Sequence, residues 1–359
     1  MEEKIRVGVI STSGYASYMH YTGIKSHPQA ELTAICGRNP ERTAELAAAY
    51  SIPRVFHDYH DLIESGDLDA VVIVTPDDLH YPIAMQALEA GLHVLCEKPL
   101  AMNSAHAREM LDAAQARGLV HMTMFEWRAL PEIRQVSKLL SQGYLGEVYD
   151  VSIRWLAGYG RDPAYLWRTD AAHGNGALGD LGSHAIDLSR MFAGEVGRVS
   201  AHLANHVRHQ LPDGQPFVPS NDSAMLLLDF ASGAHGTIEV SFTDHLPEGG
   251  CEVLLAGSEG TLQAQFLSAN EWVRGARKGE ESFQRYSPDD RFLVGSDPSA
   301  HSYDRFYGIL QNQAVGARQF IDAILRKAPV ETSFFDGWKV QQVIDFALES
   351  HRTGMWVKV

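Results

Sequence analysis

The chain has 359 residues, 45% of them hydrophobic, enough for about two globular domains that each bury a core. Thirty Lys plus Arg against 45 Asp plus Glu give a formal charge of -15, a field that repels nucleic acid and anionic membrane surfaces, so neither is an expected partner. No apolar run approaches the roughly 20 residues that span a bilayer, and the opening Met-Glu-Glu-Lys does not resemble a signal peptide. Cys36, Cys96 and Cys251 are far apart and read as buried thiols of a reducing compartment; a cytoplasmic chain without disulfides or a thiolate metal site is expected.

Over residues 1–125 strand and helix signals alternate. Strands are predicted at Ile5–Ile10, Glu31–Cys36, Arg54–Phe56, Ala70–Thr75, His93–Cys96 and Val120–Thr123, with helices at Pro40–Tyr50, Leu79–Ala90 and Ser104–Arg117. Continuous runs such as Ala70-Val71-Val72-Ile73-Val74 are buried on both faces, as in a parallel sheet. The β-α order predicts a doubly wound α/β domain with its ligand crevice at the carboxyl ends of the strands. From about Gly146 the texture changes to alternating segments at Glu147–Trp155, Arg198–Val207, Ser223–Phe230, Ala234–Phe242, Cys251–Ala256 and Gly260–Gln265. With hairpin-like turns such as Ala231-Ser232-Gly233 they predict a large, mostly antiparallel open sheet. Helices at Leu130–Ser141, Ser183–Phe192, Ala314–Arg326 and Trp338–His351 complete an α+β domain over 126–359, and the polar stretch Arg274–Ser302 reads as excursion loops.

The first strand runs into Ser11-Thr12-Ser13-Gly14-Tyr15-Ala16. In a dinucleotide-binding turn the three glycine positions fall on Ser11, Ser13 and Ala16; serine is the least costly replacement, because its hydroxyl can itself donate to phosphate. The same stretch also reads as a plain β-turn-α connection. At the end of the second strand, Gly37-Arg38 offers a guanidinium and no acid, which favours a 2′-phosphate and hence NADP over NAD; a solvated Arg before a helix is the alternative. Polar groups close the next strands: Thr75, Pro76, Asp78 and His80 after strand four, and Glu97 and Lys98 after strand five, in the expected crevice. Lys98 follows an apolar strand, where an ammonium is normally avoided unless paired or used.

The stretch His173 to Arg190 is rich in glycine and carries Asp180, His184 and Asp187, whose spacings of four and three predict one helix face. A carboxylate one turn from an imidazole orients it as a general base; a helix cap and a core histidine explain the same pattern. Tyr159, Arg161, Tyr165, Trp167 and Arg168 mix aromatics with guanidinium groups, which suits a polyol as well as ordinary packing. His202 and His206 are expected on one face of a strand with His209 opposed, an arrangement that does not favour a metal, and none is expected.

Together, Thr75-Pro76…His80, Glu97-Lys98-Pro99, Gly176-Ala-Leu-Gly-Asp180-Leu-Gly-Ser-His184-Ala-Ile-Asp187 and the C-terminal Phe335–Val359 resemble the Gfo/Idh/MocA oxidoreductases. The resemblance implies a Rossmann domain over 1–125, an α+β domain over 126–359 whose open sheet forms homodimers or homotetramers, and a catalytic Lys98, Asp180 and His184. It also implies hydride transfer between NAD(P) and a secondary hydroxyl or ketone of a sugar, sugar derivative or cyclitol. Ser11, Thr12, Ser13, Gly14, Tyr15, Ala16, Gly37, Arg38, Thr75, Pro76, Asp78, His80, Glu97 and Lys98 would hold the cofactor; Lys98, Tyr159, Trp167, Arg168, Asp180 and His184 would face the substrate. Two alternatives stay open: a redox-assisted elimination that cleaves a glycosidic bond, and a cofactor-less ligand-sensing protein.

Overall fold

The computed structural model describes residues 4–211, 213–245, 250–297 and 302–359. It divides into two compact units, the first holding residues 4–126, 294–297 and 304–338 and the second 127–293, 302–303 and 339–359. This differs from a division into 1–125 and 126–359: residues 304–338 group with the first unit, although the sequence reading placed them in the second.

In the first unit β1 (Ile5–Ile10), β2 (Ala30–Cys36), β3 (Arg54–Phe56), β4 (Ala70–Ile73), β5 (His93–Glu97) and β6 (His121–Met124) form a six-stranded sheet in the order β3-β2-β1-β4-β5-β6. Every pairing in it is parallel. All four residues of β4 are buried, which is why the run is apolar without alternation. The order reverses between β1 and β4, and a crevice opens outside the strand ends at such a point. Helices Pro40–Tyr50, His80–Glu89 and Ser104–Ala116 follow their strands; Asn39 and Asn103 cap the first and third by accepting from the Arg42 and His106 amides at 3.0 and 2.9 Å. Ile73, Ile83, Leu88, Val94, Met110 and Phe334 sit in one apolar core.

In the second unit β7 (Val148–Leu156), β8 (Val196–Ala204), β9 (Ser223–Phe230), β10 (His235–Ser241), β11 (Cys251–Gly257), β12 (Gly260–Phe266), β13 (Trp272–Arg277), β14 (Gln284–Tyr286) and β15 (Val357–Lys358) form a nine-stranded sheet. Only β10 and β7 pair in parallel; the other pairings are antiparallel. Alternation is plain in β9, where Ala224, Leu226, Leu228 and Phe230 are buried while Met225 and Leu227 are about half exposed.

Two expectations are corrected. Arg274–Ser302 is not all loop: β13 and β14 are short strands at the sheet edge, and the helix Ser302–Asn312 begins at its end. Edge strands with one open face carry long polar side chains, and Arg274, lying over Trp272 and Phe283, disguises the pattern. Residues 298–301 of that stretch lie outside the described residues. β8 ends at Ala204, so His206 and His209 are not on it, and His209 turns its Nδ1 to the Ala164 carbonyl at 2.9 Å. All three cysteines are buried free thiols, and no helix among the described residues is long and apolar enough to cross a membrane.

Candidate active site

In the first unit the serine-bearing turn builds itself from its own hydroxyls. Ser11 Oγ accepts from the Ser13 amide at 3.1 Å and donates to Ser13 Oγ at 3.1 Å. Ser13 Oγ in turn accepts from the Ala16 amide at 3.1 Å and caps the helix that follows. That helix carries a π turn over Ser17–Tyr21, and the buried Tyr21 hydroxyl reaches back to the Ser11 carbonyl at 2.5 Å. A Cβ on Gly37 would lie 2.4 Å from Thr12 Cγ2, so only glycine lets the ends of β1 and β2 approach this closely. Arg38, next to it, is exposed.

The carboxyl ends of β4 and β5 are braced by His80, fully buried, whose Nδ1 faces the Pro99 carbonyl at 2.8 Å and whose Nε2 faces that of Thr75 at 3.0 Å. Both ring nitrogens are thus directed at main-chain carbonyls, and burial pushes the imidazole pKa down. Glu97 is buried; Oε1 lies 2.8 Å from His20 Nε2, and Oε2 accepts from the Lys98 amide at 3.2 Å. The sequence reading missed two participants here, His20 and Glu126. Glu126 accepts from the Tyr15 hydroxyl at 3.2 Å, and burial together with the charge of Glu97 raises its pKa to about 8.

These residues fit a dinucleotide. The turn lies at the switch point of the sheet, a Cβ on Gly14 would meet nothing within 4 Å, and the buried Thr75 Oγ1 has no hydrogen-bond partner among the described residues.

In the second unit the glycine-rich stretch is pinned by a residue the sequence did not single out. Asn221 accepts from the Leu178 amide at 2.9 Å through Oδ1 and donates to the Asn175 carbonyl at 2.8 Å through Nδ2. Gly176, at φ +66°, passes so near that a Cβ would lie 2.1 Å from the Asn221 carbonyl oxygen. The chain then enters a π turn, Leu178–Gly182, before the helix Ser183–Ala193. This corrects the expectation of one regular helix face, because Asp180 lies in the wider turn while His184 and Asp187 ride the α-helix.

The three side chains have distinct surroundings. The Asp180 carboxylate accepts from the Tyr159 hydroxyl at 2.6 Å and pairs with Arg168 Nε at 3.1 Å; Arg168 also lies over the Trp167 ring at 4.5 Å. His184 is buried and stacks face to face on Trp127, centroids 4.4 Å apart and planes 7° from parallel. Trp127 is wedged by Trp155 and Phe266, and its π face attracts a cationic imidazole by about 0.5–2 kcal/mol. Asp187 is taken by Arg128, with Nε to Oδ2 at 2.7 Å and Nη2 to Oδ1 at 2.6 Å. Tyr159, Trp167, Arg168 and Asp180 are therefore together, whereas Arg161 turns to His245 and Tyr165 to Asp170.

Residues 5–125 match the Gfo/Idh/MocA oxidoreductase family with its NAD-binding Rossmann fold, and residues 133–263 match the C-terminal domain of the same family. The chain is 28% identical to levoglucosan dehydrogenase of Pseudarthrobacter phenanthrenivorans over 90% of its own length and 88% of that protein's. It is 30% identical to D-glucoside 3-dehydrogenase of Escherichia coli over 68% of its length and 72% of the relative. A solved levoglucosan dehydrogenase in complex with NADH and levoglucosan superposes with a TM-score of 0.90 at 27% identity, covering 99% of both chains. The same enzyme with NADH and L-sorbose gives 0.89 at 27% identity, again over 99% of both. The chain belongs to the Gfo/Idh/MocA family of NAD(P)-dependent oxidoreductases.

Proposed function

We propose that the protein interconverts a secondary hydroxyl and a ketone on a sugar, sugar derivative or cyclitol, with Lys98, Asp180 and His184 as its catalytic residues. The observation that carries this reading is a buried imidazole stacked on Trp127, four residues along the chain from a carboxylate that engages Tyr159 and Arg168, hydrogen-bonding groups suited to a polyol. Relatives that dehydrogenate levoglucosan and D-glucosides support the same substrate class.

In the oxidising direction His184 takes the proton of the substrate hydroxyl, and the Trp127 face and Asp180 stabilise the imidazolium that forms. Lys98 places an ammonium toward the oxygen as negative charge develops on it. Bound nicotinamide supplies the two-electron chemistry, held by the turn Ser11–Ala16, Gly37, Arg38, Thr75, Pro76, Asp78, Glu97 and Lys98. Reduction of NAD(P) by one or more members of an aldose, inositol, ketose and glycoside panel, followed by absorbance, tests the reading; cleavage of a glycoside without net nicotinamide reduction would replace it.

Arg38, exposed beside Gly37, supports a preference for NADP. A guanidinium on a 2′-phosphate contributes about 1.5–3 kcal/mol, roughly ten- to a hundredfold in affinity. Arg38→Ala is expected to weaken NADPH binding by that factor and leave NADH unchanged, read as dissociation constants by fluorescence titration. The open face of the nine-stranded sheet, with Met225 and Leu227 half exposed, supports self-association as a homodimer or homotetramer, and the three buried free thiols support a cytoplasmic setting.

A further inference from the structure

The stretch that ends β2 carries a donor, Arg38, and lacks the carboxylate that accepts from a ribose diol in many dinucleotide folds. The neighbouring strand supplies an acceptor instead. β2 and β3 run parallel with Cys36 opposite Phe56, so Gly37 and His57 leave the sheet side by side. They do so at the same end as the serine-bearing turn, because Ile10 lies opposite Cys36. The Gly37 peptide is held from both sides: its amide donates to the Phe56 carbonyl at 3.0 Å, and its carbonyl takes His57 Nδ1 at 2.9 Å and the Thr43 hydroxyl at 3.3 Å. A carbonyl only accepts, so Nδ1 carries the proton and the neutral ring presents Nε2 as a lone pair. His57 is exposed, and its Nε2 has no partner among the described residues. The other acceptors of this corner serve the starts of helices. Asn39 accepts from the Arg42 amide at 3.0 Å, Asp58 accepts from the His60 amide at 2.9 Å, and Glu41 lies in the first turn of the helix Pro40–Tyr50, where an anion is favoured. Arg38 can only donate.

We infer that His57 reads the ribose of NAD: Nε2 accepts from the free 2′-hydroxyl, while Arg38 pairs with the 2′-phosphate of NADP, so that one corner serves both coenzymes. This rests on the proposed nicotinamide cofactor and deepens it. The division follows from polarity. A lone pair held in place attracts a hydroxyl and repels a phosphate oxygen, whereas a guanidinium favours the phosphate far more than a neutral hydroxyl. The ring is fastened to Gly37 before any ligand arrives, so binding orders little that is not already ordered. One neutral hydrogen bond of this kind changes affinity about two- to tenfold. The charged contact of Arg38 is the larger, and NADP stays the preferred coenzyme.

The test titrates NADH and NADPH, followed by nicotinamide fluorescence, into wild type, His57→Asn, His57→Gln, Asp58→Asn and Arg38→Ala. Asparagine sets its amide nitrogen where Nδ1 stood, so His57→Asn keeps the bond to the Gly37 carbonyl and removes only Nε2; its melting temperature should match wild type. That variant is expected to bind NADH about two- to tenfold more weakly and NADPH no more weakly than wild type. His57→Gln, which returns an acceptor near the lost Nε2, should recover part of the NADH affinity. Asp58→Asn, which can still cap its helix, should leave both constants unchanged. Arg38→Ala should show the reverse pattern, with the loss confined to NADPH. In the apoprotein, long-range proton–nitrogen spectra at pH 8 are expected to show His57 protonated at Nδ1. An Nε2–H tautomer, an unchanged NADH constant in His57→Asn, a loss there shared equally by both coenzymes or confined to NADPH, or an NADH loss that follows Asp58→Asn instead, overturns the inference. Wild type that binds neither coenzyme would strike at the proposed function itself and take the inference with it, an outcome visible before any variant is compared.

Discussion

His184→Ala is expected to lower turnover about 10²–10⁴-fold, the range for removing a general base. Cofactor dissociation constants should stay where they are, since the imidazole belongs to the second unit, packs on Trp127, and is not among the residues proposed to hold the dinucleotide. Steady-state kinetics with a substrate from the panel, alongside NADH and NADPH titration of the variant, separates the two effects. Wild-type turnover from His184→Ala would remove the imidazole from the reaction and leave Lys98 and Asp180 as the remaining candidates. Loss of cofactor affinity in step with turnover would point to a structural collapse instead.

The second large effect concerns folding. Arg128 and Asp187 form a two-pronged ion pair in which the side chains are 12% and 1% exposed. Removing one partner strands a buried charge, and such changes cost about 3–5 kcal/mol. Arg128→Ala should therefore lower the urea midpoint of the second unit substantially, whereas the double change Arg128→Met with Asp187→Leu should recover much of the loss, because two apolar groups leave no charge behind. Far-ultraviolet circular dichroism across a urea series reads both. Equal midpoints for wild type and Arg128→Ala would show that solvent reaches the pair freely.

Much of this architecture could be read from residue order because it rests on simple periodicities. The apolar run of β4 and the strict alternation of β9 report two-faced and one-faced burial, and asparagine before proline or serine marks where helices begin. Both π turns, at Ser17–Tyr21 and Leu178–Gly182, were invisible, since one widened step leaves no mark on composition. β13 to β15 were lost because short strands at or next to a sheet edge share the vocabulary of loops. The helix Ser302–Asn312 did carry a signal in Phe306, Ile309 and Leu310, spaced three and one apart and all buried.

For the candidate site, residue type guided the reading better than position did. Asp180 with Tyr159, Trp167 and Arg168 came together as a group, yet Asp187 went to Arg128 and His80 to main-chain carbonyls. Trp127 and Glu126 escaped notice for a physical reason: tryptophan reads as core and glutamate as surface until a neighbour is known. The rule that flagged Lys98, a polar group just past an apolar strand, applies equally to Glu126 two residues after β6.

The hydroxyl stitching of Ser11 and Ser13 bears on how a nucleotide would be greeted. A glycine-rich turn is floppy until phosphate organises it, whereas this one is fastened in advance by side chains it carries itself. Little backbone freedom is left to surrender on association, so calorimetry should report a smaller entropic penalty than for a loop of three glycines, and recognition by the fixed amides should be correspondingly intolerant of changes in pyrophosphate geometry.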